Sequence, residues 1–308
     1  MRAKVIVNPA AKSGGCGRNW PDVEARLGAA LGEFDVAFTS APGHATEIAR
    51  NAVGQGYDHF VAVGGDGTVN EVMNGMMHDG VLIEQDAMLC PIPAGTANEL
   101  CRALGLLADP EAPYRAIVDG TPRRMDVCRV TCGGLDGGTL HRSAYLIVSF
   151  GSAAEISYRT STSRFVKKLG GEVSYYLVTI LVTLTYKPKQ LRIAIDDDFD
   201  ESIPVHSGLC CNTENGGGGM KLAPGASYDD GVLDLVVFGD MKPTDFLLQK
   251  PSWLFEGRHV RHPGVRVLRG RKITAEGDSS VLVDADGETI GRLPLTVEVV
   301  PNALNVKK

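Results

Sequence analysis

"HFVAVGGDGTVNEVMNG", residues 59–75, decides how the rest of the chain is read. An apolar run, Phe60 to Val63, stops at two glycines, an aspartate, a third glycine and a threonine. Val69, Val72, Met73 and Met76 follow at spacings of three and four, the period of a helix with one buried face. A strand therefore passes through a glycine turn into a helix. Such a junction presents free backbone N–H groups, which suits an anion. Asp66 stands in the middle of that cradle. Two unit charges ~4 Å apart interact by about 4 kcal/mol at an effective dielectric of roughly 20, so a bare phosphate would be repelled. Magnesium reverses the sign, and it is usually held by one or two carboxylates plus substrate phosphates. The turn predicts a site for a metal–nucleotide complex. A plainer use, Asp66 as N-cap of the helix starting near Thr68, stands beside it.

The same grammar extends to both sides. Strand patterns at 4–8, 34–39, 59–63 and 88–92 alternate with helical patterns at 20–32, 44–54, 68–78 and 97–104. That alternation predicts a parallel sheet with helices on both faces. Glycine-bearing turns end three of the strands: "NPAAKSGG" (8–15), "GGDGT" (64–68) and "PAGTAN" (93–98). Open parallel sheets bind ligands beyond their strands' carboxyl ends, so the three turns converge on one crevice. Neither GxxxxGK[ST] nor GxGxxG is present.

Beyond about residue 125 the pattern changes to "MDVCRVTC", "LHRSAYLIVSF", "QLRIAIDDD", "IPVHSGLCCN", "GVLDLVVF", "RKITAEG", "SVLVDAD" and "LPLTVEVV". These read as short strands of a β-rich sandwich or barrel-like domain, with a helical insertion at about 153–186. The organisation predicted is an α/β domain over 1–126 and a β-rich domain over 127–300, with a tail at about 300–308 packing back on the first.

The 308-residue chain is 44% hydrophobic and 22% charged, as in soluble globular proteins. A net charge of −6 argues against a nucleic-acid partner. The start runs directly into a strand, with no apolar signal region, so a cytoplasmic location is expected. The most lipid-like stretch, "SYYLVTILVTLTY" (174–186), is shorter than the roughly 20 residues of a membrane span. A buried or interfacial helix fits it better. Arg159, Arg164, Lys167, Lys168, Lys187 and Lys189 flank it, and a second basic run covers 257–272. Either could meet an anionic bilayer at about 1 kcal/mol per charge, or be a solvated face. The seven cysteines form no CxxC pair and read as reduced and buried. His259 and His262 have no acidic partner nearby in sequence and read as structural; Asp196 to Glu201 reads as a hairpin tip. "GGGG" at 216–219 is either a lip of the cleft or a tight turn, and "DADGE" alone reads as a hairpin turn.

"VNPAAKSGG", "GGDGTVNEV", "PAGTANEL", "GGGGMKLAPGASYDDGVLDLVV" and "DADGE" together resemble, in order, the landmarks of the bacterial soluble diacylglycerol kinase and lipid kinase family, from about residue 4 to 305. Sphingosine and ceramide kinases share that catalytic core. "GGDGT" alone also occurs in NAD kinases and phosphofructokinases. The resemblance implies transfer of phosphate from ATP, with Mg²⁺, to a lipid hydroxyl such as that of diacylglycerol. It implies nucleotide contacts at Asn8, Ser13, Thr39, Gly64, Gly65, Gly67, Thr68 and Thr96. Asp66 would lie at the phosphate and metal end. Asp286 matches the general base, with Glu288 beside it. Asp126, Asp229 and Asp230 match acidic positions linked to the site through a structural Mg²⁺. Where the family usually has Asn-Asp, this chain has Asn98-Glu99, which places Glu99 among the metal candidates with a longer reach. A base contributes ~10²–10⁴-fold, so Asp286→Asn is expected to keep ATP and lose turnover. The resemblance also implies peripheral contact with a membrane and leaves room for a homodimer. Two other readings stay open: a soluble-substrate kinase of the NAD kinase type, and a lipid- or nucleotide-binding regulator without catalysis.

Overall fold

The computed structural model describes residues 1–162, 171–241, 244–245 and 252–308, with 171–176 described by backbone alone. Arg164, Lys167 and Lys168 lie outside the described residues. The N-terminal strands are β1 (Ala3–Val7), β2 (Asp35–Phe38), β3 (His59–Gly64) and β4 (Met88–Pro93). The helices between and after them are α1 (Ala11–Leu31), α2 (His44–Ala52), α3 (Asp66–Met76), α4 (Glu99–Ala103) and α5 (Ala112–Asp119). All four strands are parallel, in the order β2-β1-β3-β4. Alternate residues feed opposite faces. Ile6, Phe60 and Ala62 pack with Val69, Val72, Met73 and Met76, whereas Val5, Val7, Val61 and Val63 pack with Val23, Leu27 and Ile117. Helix α5, absent from the sequence reading, covers part of that second face through Tyr114 and Ile117. Val7 lies opposite Phe38 and Val63, and Gly64 opposite Pro93. The strands therefore end level, and their turns line one edge.

The β-rich half contains β5 (Pro122–Gly134), β6 (Thr139–Ala144), β7 (Ile147–Gly151), β8 (Lys189–Ile195), β9 (Phe199–Val205) and β10 (Ser207–Cys211). It continues with β11 (Leu233–Phe238), β12 (Val265–Gly270), β13 (Lys272–Glu276), β14 (Leu282–Ala285) and β15 (Glu288–Lys307). The insertion is helical, with α6 (Ser152–Thr162) and α7 (Gly171–Thr185). Two runs read as single strands are each broken in two. At Tyr145 and Leu146 the backbone N–H groups leave the ladder for the Asp286 side chain. At His206 the chain changes partners, from β8 to β7 and β11. One core, including Val130, Phe150, Ile193, Leu235, Ile273, Val283 and Val297, fills this half. All seven cysteines are free and buried.

Both halves belong to one 15-stranded hydrogen-bonded sheet. Its central path runs β12-β11-β10-β7-β14-β15-β4-β3-β1-β2. Strand β15 is the junction: it pairs antiparallel with β14, β13 and β5, then lies parallel to β4 at Asn305 and Val306. A register shift between Val300 and Leu304 lets it turn from one half into the other. Asn305 sits at that joint, 8% exposed, and its Nδ2 donates to the carbonyls of Gln85 and Ala87 at 2.7 and 3.2 Å. Asn305→Ala should strand a buried carbonyl and destabilise the chain by about 1–3 kcal/mol. Urea unfolding checks this, and an unchanged midpoint would show that the joint does not depend on that side chain.

Candidate active site

The three glycine turns touch one another. A Cβ on Gly64 would lie 2.4 Å from Thr68 Oγ1, and one on Gly95 would lie 2.3 Å from the Gly65 Cα. Only glycine permits the second and third turns to pack this closely. The first turn is tied in by Asn8, whose Nδ2 donates to Thr68 Oγ1 at 3.0 Å while its Oδ1 accepts from Ala10 N–H at 3.1 Å. Lys12, Ser13 and Gly14 are left-handed, with φ of 52°, 53° and 79°, so the chain turns sharply before α1 settles. The Thr39 N–H donates to the Val7 carbonyl at 2.8 Å. Asn8, Thr39 and the Gly64–Thr68 turn share one edge, with Ser13 and Thr96 exposed in the flanking turns.

Asp66 does not cap its helix. Gly65 is the N-cap residue, and no side chain makes a capping bond there. Instead Asp66 Oδ1 accepts the Glu99 N–H at 2.7 Å, so the third turn captures the carboxylate that the second turn carries. Burial raises the Asp66 pKa to about 6; the charges of Glu99 and Asp286 push the same way, and the Glu99 and Leu100 amides oppose. Sequence alone treats Asp66 as a full negative charge facing a phosphate. The structure gives it a different setting.

Asp286 sits at the turn between β14 and β15, with φ of 51° there and 89° at Gly287. Two consecutive positive φ values are what a tight two-residue hairpin needs, so "DADGE" is both the turn and a site element. Its carboxylate accepts four hydrogen bonds. Asn70 Nδ2 and the Tyr145 N–H donate to Oδ2 at 2.7 and 3.0 Å, and the Leu146 and Ile147 N–H groups donate to Oδ1 at 2.9 and 3.0 Å. Burial still leaves its pKa raised against those four donors. Glu288 pairs with Arg142 at 3.0 Å, and its Oε1 would be 3.4 Å from a Cβ on Gly67. The "DADGE" hairpin therefore closes onto the second glycine turn.

Residues unmarked by sequence reasoning join these groups. Asn70, 1% exposed, donates to Asp286 and accepts from Arg142 at 2.9 Å. The fully buried Tyr145 donates its hydroxyl to the Asp66 carbonyl at 3.2 Å and its N–H to Asp286. The one signal for Asn70 was a polar residue four positions after Asp66, on the same helix face and amid apolar neighbours. Arg142 and Tyr145 carried none. Asp284 is also buried at 4%; its Oδ1 accepts the Gly287 N–H at 3.0 Å, and burial raises its pKa to about 7.

The five carboxylates expected to hold a metal fall into two groups, Asp66 with Glu99 and Asp126 with Asp229 and Asp230. Among the described residues no three His, Cys, Asp or Glu side chains form a metal-sized group. Asp126 gives one oxygen to the Gly231 N–H and the other to the Asn302 N–H, both at 2.7 Å, and so braces the bend of β15. Asp230 pairs with Arg269 at 2.6 Å, and Asp229 accepts from the Ser227 hydroxyl. One oxygen of Glu99, Oε1, accepts the Gly218 and Gly219 N–H groups, while Oε2 is buried without a hydrogen-bond partner. Internal donors thus take both oxygens of Asp126 and one oxygen of Glu99, and Asp66 and Glu288 lie beside the glycine turn.

Asp286→Asn tests the hydrogen-bond pattern. However the new amide is turned, two donors lose their acceptor oxygen and face an N–H group. The expected cost is roughly 2–4 kcal/mol in chemical unfolding. A variant as stable as the parent would contradict the four-donor arrangement.

Residues 2–130 match the diacylglycerol kinase catalytic domain, and residues 146–308 match the YegS C-terminal NAD kinase beta sandwich-like domain. The diacylglycerol kinase of Staphylococcus saprophyticus is 29% identical over 313 residues, spanning 100% of this chain and 93% of its own. That of Staphylococcus aureus is 28% identical over 297 residues, spanning 95% and 88%. A crystal structure of a diacylglycerol kinase from Bacillus anthracis superposes with a TM-score of 0.70 at 20% identity, over 99% of this chain and 96% of that one. Yeast NADH kinase complexed with NADH gives 0.52 at 12% identity, over 99% and 82%. These two likenesses speak for the fold alone. Matched through both of its halves and along most of the length of its relatives, the chain belongs to the bacterial soluble diacylglycerol kinase family.

Proposed function

We propose that the protein transfers the γ-phosphate of ATP to the hydroxyl of a lipid, with diacylglycerol or a related glycerolipid as acceptor. The observation that carries this reading is the closure of the "DADGE" hairpin onto the glycine turns, which sets Asp66, Asn70, Asp286, Glu288 and Arg142 in one cluster. Phosphoryl transfer asks mainly for positioning and charge neutralisation. The turns offer backbone N–H groups to phosphate oxygens. Magnesium bound with the nucleotide would offset phosphate charge, and Glu288 is the carboxylate that would hold it beside Gly67.

A general base needs an open lone pair and a pKa near the working pH. A carboxylate has about four acceptor sites, and Asp286 has four donors. We therefore assign Asp286 to positioning, and the proton of the alcohol to Asp66, whose pKa is about 6. Asp286 fixes Asn70 and Tyr145, which support the α3 N-terminus and so Asp66. Because the base must be ionised, activity should fall as pH drops through about 6. Asp66→Asn should lose ~10²–10⁴-fold in turnover while still binding ATP. A labelled-ATP assay in mixed micelles, against diacylglycerol, phosphatidylglycerol, sphingoid bases, polyprenols and NAD, tests the whole reading. Transfer to NAD and to no lipid would overturn it.

Access to a lipid surface rests on α7. Leu177, Ile180, Leu181 and Leu184 are 53, 48, 52 and 41% exposed, at spacings that put them on one face, while Val178 and Val182 are buried on the other. Among the described residues no helix is long and apolar enough to cross a membrane. The basic clusters offer less: Arg159 pairs with Glu155, Lys189 with Asp278, Arg258 with Glu256, Arg266 with Glu201 and Arg269 with Asp230. Full burial of one leucine is worth about 1.5–3 kcal/mol, against about 1 kcal/mol per basic residue at an anionic surface. Apolar insertion should thus dominate. The double variant Leu177→Ser, Leu181→Ser should lose co-sedimentation with neutral and anionic liposomes alike; unchanged binding would remove α7 from the docking surface.

A further inference from the structure

Glu99 is a buried carboxylate whose charge bears on Asp66 but whose oxygens bond to none of the groups assigned to phosphate binding or proton transfer. It is 3% exposed, and its Oε1 accepts the N–H groups of Gly218 and Gly219 at 2.6 and 2.7 Å. Arg102 Nε stands 3.3 Å from Oε2. The Glu99 N–H meanwhile holds Asp66 Oδ1. One residue thus grips the Asp66 turn with its backbone and a loop of the β-rich half with its side chain.

That loop has little else to fix it. Gly217, Gly218 and Gly219 have φ of 60°, 89° and 89°, and they present no side chains to pack. The loop closes a two-rung hairpin in which Asn215 pairs with Lys221 and Gly216 with Met220. Its other flank abuts Ile147: a Cβ on Gly216 would lie 2.3 Å from Ile147 Cδ1. The Ile147 N–H is one of the donors to Asp286. The glycine loop therefore runs from the neighbour of Asp66 to the neighbour of Asp286, along the rim of the site.

Reach decides whether the grip forms. An aspartate in place of Glu99 would be shorter by one methylene, about 1.5 Å of chain. Starting from bonds of 2.6 and 2.7 Å, that retreat passes the hydrogen-bond limit. We propose that Glu99 is a positioning residue that latches the 216–219 loop across the mouth of the Asp66–Asp286 cleft and so shapes the passage for the lipid acceptor. The acceptor part rests on the lipid kinase reading; the latch itself does not.

Glu99→Asp keeps the charge and loses the reach, whereas Glu99→Gln keeps the reach and an acceptor oxygen. Amide hydrogen exchange over residues 215–221, measured on the full chain, reads the latch without any substrate. Exchange there should rise about tenfold in Glu99→Asp and much less in Glu99→Gln. In the kinase assay Glu99→Asp should raise KM for the lipid several-fold, leave KM for ATP within about twofold, and be largely rescued by Glu99→Gln. Should Glu99→Asp fold poorly by circular dichroism, Glu99→Gln alone decides: parent-like protection supports the latch, and protection lost with the fold intact argues against it. Unchanged exchange in folded Glu99→Asp, or equal increases in both variants, would overturn the latch. Altered exchange with an unaltered lipid KM would overturn the acceptor role, and activity on no lipid would count against the kinase reading alone.

Discussion

Four N–H donors converge on the carboxylate of Asp286, three from the backbone at Tyr145, Leu146 and Ile147 and one from Asn70. Much of the site follows from this. A carboxylate on its way into the protein needs such donors to stay charged, and these come from segments more than 130 residues away in sequence. Turning the Tyr145 and Leu146 amides toward Asp286 ends β6 and starts β7. Holding Asn70 ties α3 to the β-rich half, and with it the glycine turn at its N-terminus. The two halves are joined by β15 along the sheet and by Asp286 at the cleft, with Glu99 and Tyr145 as further ties.

The N-terminal half was legible because its signals are local. Short apolar strands, helix-period runs and glycine turns each announce themselves within about ten residues, and parallel alternation then fixes the layering. The limits appear where sequence distance is large. Nothing in "LHRSAYLIVSF" says that its middle residues leave the ladder, because their acceptor is Asp286. Nothing in "GGDGT" says that Asp66 will be captured by the Glu99 amide of the third turn instead of capping its own helix. The acids expected near a metal show the same limit: sequence does not reveal that backbone donors from distant loops hold both oxygens of Asp126 and one oxygen of Glu99.

At the surface, charge counting along the chain leaves bilayer contact and a solvated face equally open. Runs of arginine read as patches, but in three dimensions several of them face carboxylates on neighbouring strands. The apolar face of α7 has no such partner among its described residues and therefore stands out more than the basic runs around it. On both counts the structure moves weight from net charge to the placement of individual groups.

The division of labour between Asp66 and Asp286 is the centre of this account. Isotope-edited NMR of the aspartate carboxyls across pH, assigned with the Asp66→Asn and Asp286→Asn variants and set beside the pH profile of turnover, addresses it most directly. The account predicts that the Asp66 carboxyl titrates near 6 and that the acid limb of turnover follows it. An acid limb that follows the Asp286 carboxyl, with Asp66 already ionised throughout, would contradict it.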